Sequence, residues 1–174
     1  LSTRRQRQMC IRDRGKAGRA TINLLLKNNY NVFNVDLAHN SELDVPFSKV
    51  NLENFGDAME SVSEIDDRIN GIDAIIHQAA IPAPGLETNH KTFRINTLST
   101  YNIFQAAKVL KINNIVWASS ETVLGLPFDK YPPYVPVDEE YHPRPESSYS
   151  LSKVMGEEMA KQYCRKNPDM KIFG

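Results

Sequence analysis

Short runs of β-branched and aromatic residues recur along this chain between longer stretches with helical spacing, and that alternation narrows the possible folds more than any other feature. Asn31–Asp36, Asp73–His77 and Ile115–Ala118 read as buried strands, with Val50–Leu52 a shorter one and Met170–Phe173 the start of another. Between them, Ala17, Ala20, Leu24 and Leu25 recur at helical spacing from Gly15 until Asn28 and Asn29 stop the run. A second helix is expected over 53–69 with Phe55, Met59 and Val62 turned inward. A third covers 91–110, with Phe93, Leu98, Tyr101, Phe104 and Ala107 on one broad face, and a fourth covers 149–165. Strands alternating with helices predict an α/β fold with a doubly wound parallel sheet. Residues 126–146 hold six of the ten prolines, so an irregular loop is expected there.

A chain of 174 residues can bury one sizeable core, which predicts a single domain. Its longest apolar runs, such as Ala74–Ile76, are too short to cross a bilayer, so no membrane association is expected. Two cysteines, Cys10 and Cys164, make no disulfide framework and fit a reducing cytoplasm. Charge is uneven: residues 1–19 hold seven bases and one acid, and the remainder carries 14 bases against 20 acids. The basic arm lacks both interleaved aromatics and an apolar signal core, so neither nucleic-acid binding nor a leader is expected of it. Leu1–Arg14 resembles translated sequencing-adapter sequence fused to a truncated reading frame. Residues 1–14 are therefore read as a non-native basic segment lying where a first strand belongs. On this reading residues 15–174 are an incomplete domain, without a proper first strand or a C-terminal substrate-binding region.

A doubly wound sheet binds ligands at the carboxyl ends of its strands. For a dinucleotide it needs a glycine-rich turn at a helix N-terminus and an acid closing the second strand. Gly15 and Gly18 open the first helical run, and Asp36 closes the next strand. Arg12 stands where the first glycine of G-x-x-G-x-x-G falls, and a bulky side chain there obstructs both the turn and the pyrophosphate. Weak cofactor binding by this chain is the expectation.

Tyr149 and Lys153 are four residues apart and share a helix face. An ammonium beside a phenol favours its ionised form, which suits a general acid or base. The pair alone says little, because seven tyrosines and eleven lysines in 174 residues would give about 0.4 such pairs by chance.

Taken together, these residues resemble the extended short-chain dehydrogenase/reductase family, the NAD-dependent epimerase/dehydratase group, over residues 15–174. Gly15 and Gly18 match the second and third glycines of its cofactor loop, and Asp36 matches the acid that selects NAD over NADP. Asn51-Leu52 fall where the family often has Asp-Leu beside the adenine. His77-Gln78-Ala79-Ala80 match the H-x-A-A/G turn that lines the cofactor site, with His77, Ala79 and Ala80 as its matching residues. Asn96 matches an asparagine that holds active-site geometry. Ser120, five before Gly125, takes the catalytic serine/threonine position, and Tyr149 and Lys153 take the catalytic pair.

The resemblance implies NAD as cofactor, no metal, and a small sugar-like or sugar-nucleotide substrate. Tyr149 would take the proton of a secondary hydroxyl while hydride leaves the same carbon. Ser120 would hold that oxygen, and Lys153 would bind the nicotinamide ribose. The Asp-Glu pair of sugar-nucleotide 4,6-dehydratases is replaced by Glu121-Thr122, which argues against that reaction, and Leu124 stands in place of the tyrosine of V-Y-G. Family members often dimerise through two long helices, here 91–110 and 149–165. The alternative is a non-catalytic NAD-sensing or scaffold protein of the same fold, which has no need of Ser120, Tyr149 and Lys153 together.

Overall fold

A computed structural model of the chain describes residues 7–11, 15–69, 71–125 and 131–174. In chain order its elements are β1 (Arg7–Ile11), α1 (Lys16–Lys27), β2 (Asn31–Asp36), β3 (Phe47–Lys49), α2 (Phe55–Ile69), β4 (Ala74–His77), α3 (Asn89–Val109), β5 (Asn114–Trp117), α4 (Ser148–Lys166) and β6 (Lys171–Phe173), with a 3-10 turn at Glu121–Leu124. The strands form one parallel sheet in the order β3-β2-β1-β4-β5-β6. The chain winds outward from β1 in one direction and from β4 in the other, so the switch point of a doubly wound sheet falls between them.

The expectation that a proper first strand is missing is corrected here. Arg7–Ile11 occupies the centre of the sheet, pairing with β2 on one side and β4 on the other. A central strand is held by backbone donors and acceptors that its neighbours would otherwise leave unpaired. A short Met9-Cys10-Ile11 run inside a basic arm therefore suffices. The sheet runs across the boundary expected at residue 15.

Both faces of the sheet carry helices. β2 alternates its side chains between them: Phe33 and Val35 join the main core with Val62, Ile75, Phe104, Ile115 and Trp117, while Val32 packs with Ile22 and Leu43 beneath α1. α2, α3 and α4 lie together over the main core, with α3 and α4 most extensively in contact.

Three local expectations shift. The strand expected at Val50–Leu52 is instead Phe47–Lys49. The Val50 N–H still reaches the Asp36 carbonyl at 3.0 Å, but Asn51 Oδ1 then accepts from the Glu53 N–H and turns the chain away. In α2 the inner stripe is Ala58, Val62 and Ile65, with Met59 partly buried beside it, while Phe55 in the first turn is exposed. In α3, Leu98 and Tyr101 face outward. The buried face there is polar, built from Thr92, Asn96, Ser99, Thr100 and Asn102 beside Ile103 and Phe104.

Candidate active site at the carboxyl edge of the sheet

Because all strands are parallel, Asp36, His77 and Trp117 end their strands on the same edge. The candidate residues divide into two groups along it.

The first group lines a cleft of about 250 Å³. Asp36 closes β2, Asn51 and Leu52 follow β3, and Ala79 and Ala80 follow β4, so five residues singled out from sequence meet in one cleft. Glu53, Ile81, Lys91 and Ser99 also line it and were not foreseen; Lys91 and Ser99 come from α3, and their place at the cleft emerges only once that helix is placed. Asn102 Nδ2 donates to the Leu52 carbonyl at 2.8 Å and fixes the cleft wall to α3. At the mouth, Lys91 pairs with Glu87 at 2.7 Å and Arg94 with Glu53 at 3.3 Å.

Gly15 is the N-cap of α1 and Gly18 is buried in its first turn. Neither lines the cleft. Among the described residues nothing lies within 4 Å of where a Cβ on Gly15 would stand, and the first turn of α1 has no acidic side chain. The helix N-terminus is thus compatible with an anion. Arg12, expected to obstruct the turn, lies outside the described residues.

The second group gathers around α4. Ser147 and Ser150 form a reciprocal capping box that fixes where α4 begins, which places Tyr149 in its first turn and Lys153 one turn on. Tyr149 and Lys153 are both buried, at 8% and 5% exposure. A buried ammonium requires partners. Lys153 Nζ donates to the Ala118 carbonyl just after β5, and it lies 5.3 Å from the centre of the Trp117 ring and 5.8 Å from that of Tyr149.

Ser120 caps the 3-10 turn, accepting from the Thr122 N–H at 3.3 Å, with its hydroxyl 3.0 Å from Thr122 Oγ1. The turn closes at Gly125, whose φ of +89° suits glycine, and an added Cβ there would meet the Arg144 carbonyl at 2.9 Å. The Arg144 N–H bonds the Val123 carbonyl and Tyr141 Oη donates to the Leu124 carbonyl, so the far limb of the proline-rich loop is pinned beside Ser120.

Between the two groups stand Asn96 and His77. Asn96 Oδ1 accepts from the Ile81 N–H at 2.7 Å, while its Nδ2 donates to the Ile81 carbonyl and to Ser152 Oγ. Ser152 Oγ in turn donates to the Tyr149 carbonyl at 2.6 Å. One amide therefore ties the loop after β4 to α3 and to the first turn of α4. Thr100 donates its hydroxyl proton to the Asn96 carbonyl at 2.8 Å, so His77 Nε2, 3.3 Å away, is the donor to Thr100 Oγ1. His77 Nδ1 is then an unprotonated acceptor, buried and without a hydrogen-bond partner among the described residues. Burial, with a smaller contribution from the Lys153 charge, pushes the imidazole pKa down to about 3, so His77 is neutral at physiological pH.

Among the described residues, no group of three or more His, Cys, Asp or Glu side chains is placed to hold a metal ion. No helix among them is long and apolar enough to cross a membrane.

Comparison with known proteins places this arrangement. The chain is 32% identical over 161 residues to a putative UDP-glucose 4-epimerase of Methanocaldococcus jannaschii, covering 87% of this chain and 48% of that protein. It is 32% identical over 98 residues to a uronate dehydrogenase of Pseudomonas putida, covering 55% of this chain and 33% of the relative. The solved UDP-glucose 4-epimerase of Thermus thermophilus in complex with NAD superposes with a TM-score of 0.81 at 22% identity, over 96% of this chain and 53% of that one. At that identity the likeness shows the fold. The chain spans about half the length of the curated relative from Methanocaldococcus. The profile of the NAD dependent epimerase/dehydratase family matches residues 13–174, and with the sheet order and the carboxyl-edge site it establishes that the chain belongs to that family.

Proposed function

We propose that this chain is the cofactor-binding and catalytic part of an NAD-dependent oxidoreductase or epimerase acting on a secondary hydroxyl of a sugar-like or sugar-nucleotide substrate. The observation that carries this reading is the burial of Tyr149 and Lys153 together against the end of β5, one residue from the turn that holds Ser120.

The residues present fit a bound dinucleotide. The cleft is walled by apolar Leu52 and Ala79 and bordered by Asp36, a setting for a purine and its ribose. The exposed N-terminus of α1 at Gly15, with Gly18 buried behind it, suits a pyrophosphate. Asp36 would accept from the adenosine ribose hydroxyls, with Asn51 and Leu52 beside the adenine. Ala79 and Ala80 would leave room for the chain of the cofactor past the end of β4. His77 and Asn96 support that wall from beneath. NAD, when bound, accepts or returns a hydride at the substrate carbon.

On this reading Tyr149 removes the hydroxyl proton or returns it. Ser120 hydrogen-bonds the same oxygen and holds it near the phenol. Lys153 supplies positive charge that favours the phenolate, and it hydrogen-bonds the nicotinamide ribose. The relatives' names include both an epimerase and a dehydrogenase, so the fate of the oxidised substrate is left to experiment.

A homodimer through α3 and α4 is part of the proposal, supported by the exposed apolar residues Leu98, Tyr101 and Val109 on α3 and Leu151 and Met155 on α4. We place the protein in the cytoplasm on its cysteine usage. Residues 1–14 are proposed to be non-native in origin, with Arg7–Ile11 standing as the central strand of the domain.

The test is turnover by the full-length protein over a panel of sugars, uronates and sugar nucleotides. NADH formation detects a dehydrogenase, and chromatography of the sugar nucleotides detects an epimerase. NAD binding with no turnover on any of them would favour the non-catalytic sensor.

A further inference from the structure

We infer that Trp117 is a positioning residue, an aromatic platform that fixes the Lys153 ammonium in place, and that Gly156 is the gap in α4 that lets the helix lie on it. The inference rests on the role proposed above for Lys153 and adds what holds that side chain.

Three successive residues at the end of β5 each engage a different position on one face of α4. Trp117 lies under Gly156, the Ala118 carbonyl takes the Lys153 ammonium, and Ser119 Oγ donates to Glu157 Oε1 at 2.6 Å. Residues 153, 156 and 157 share a helix face, so strand end and helix are in one register. The next residue is Ser120 and the preceding turn of α4 carries Tyr149, so this register sets how the two face each other.

Within it the indole is clamped. Phe104 of α3 meets Trp117 edge to face, with ring centres 6.2 Å apart and planes at 88°. On α4, a Cβ built on Gly156 would fall 2.5 Å from the Trp117 ring, so any side chain there would push the helix away. The ammonium 5.3 Å above the ring centre is within cation–π range, and both residues are 5% exposed or less. An ammonium on a long flexible stem has many rotamers in which it misses a ribose, and an immovable π-face removes most of them.

Trp117 is the only tryptophan among these 174 residues, and subtracting the spectrum of Trp117→Phe isolates its emission in a longer protein. In the full-length protein, Lys153→Met should shift the tryptophan emission maximum and weaken NAD binding. Trp117→Leu should weaken NAD binding roughly tenfold, the scale of a desolvated cation–π contact, and Trp117→Phe by less. The deciding measurement is the double-mutant cycle on NAD affinity. In the Lys153→Met background Trp117→Leu should cost almost nothing further, because the platform then has no cation to hold.

An equal loss in both backgrounds would mean that Trp117 only fills space, and the inference fails. An emission spectrum unchanged by Lys153→Met overturns it too, and that measurement stands even if Trp117→Leu does not fold. Wild-type NAD affinity in Lys153→Met, with the emission shifted, sinks the cofactor role of Lys153 while leaving the contact itself in place.

Discussion

Asn96, buried among α3, α4 and the loop after β4, spends its amide on three partners, whereas Lys91 at the cleft mouth holds one exposed carboxylate four residues away. The contrast extends around each. The end around α4 is braced by buried side-chain-to-backbone bonds across three elements. The cleft end is open, and Lys91 and Arg94 at its mouth meet carboxylates through exposed side chains. Buried polar groups are costly to leave unmet, so the first arrangement tolerates little change and the second tolerates much. Under the proposed mechanism proton transfer needs fixed geometry around Tyr149, while the cleft has only to bind.

The comparison can be broken most directly at Tyr149. Tyr149→Phe removes only a hydroxyl, and under the proposed mechanism it should lower kcat by at least about a hundredfold while leaving NAD affinity near wild type. Activity that survives the change would remove the catalytic end from the reaction.

Asn96→Ala should come next. It strands the Ile81 N–H and carbonyl and loosens Ser152, and about 2–4 kcal/mol of stability should be lost in urea titration. A loss no larger than that of a surface change would contradict the bracing.

His77 sharpens the same point through pH. Its folded pKa of about 3 lies below the ordinary 6.5, so the unfolded chain binds a proton that the native protein refuses. The stability that comes from keeping His77 neutral is therefore full above pH 6.5. It declines as pH falls toward 3, by at most about 1.4 kcal/mol per unit. The stability of His77→Gln relative to wild type should improve across that window when both are followed by denaturant unfolding, and a constant difference would argue against the burial.

Gly156→Ala forces α4 off Trp117 and should cost about 1–3 kcal/mol with a lower Tm. At the cleft, Lys91→Ala should change stability by less than about 0.5 kcal/mol, because an exposed i,i+4 pair contributes little. A large effect there would erase the distinction between the two ends.

Much of the fold was legible in the sequence, because strands buried on both faces must be apolar runs and helices must show their period. Asn31–Asp36 and the helix after Gly15 follow from that alone. The central strand at Arg7–Ile11 did not, because backbone pairing holds it and its basic surroundings mask the short apolar run. The polar inner face of α3 was also hidden. A periodicity reading assigns apolar residues inward, and here Thr92, Asn96 and Thr100 are buried because they bond backbone and neighbouring side chains. Leu98 and Tyr101 were placed inward by the same habit and face outward.

By itself the sequence determined the residue types of the site and their order: an acid closing β2, His77 closing β4, Ser120 after β5, and Tyr149 one helical turn before Lys153. Their places on strand ends and on the helix follow from local periodicity, which links neighbours in the chain, and their assignment to a site follows from the resemblance to the family's motifs. Only the tertiary structure decided that Asp36, Asn51 and Ala80 share a cleft, that Asn96 braces the Tyr149 turn, and that Trp117 lies beneath Lys153. Those are contacts between residues far apart in sequence, and their geometry is set when α3 and α4 pack over a parallel sheet, which no local pattern encodes.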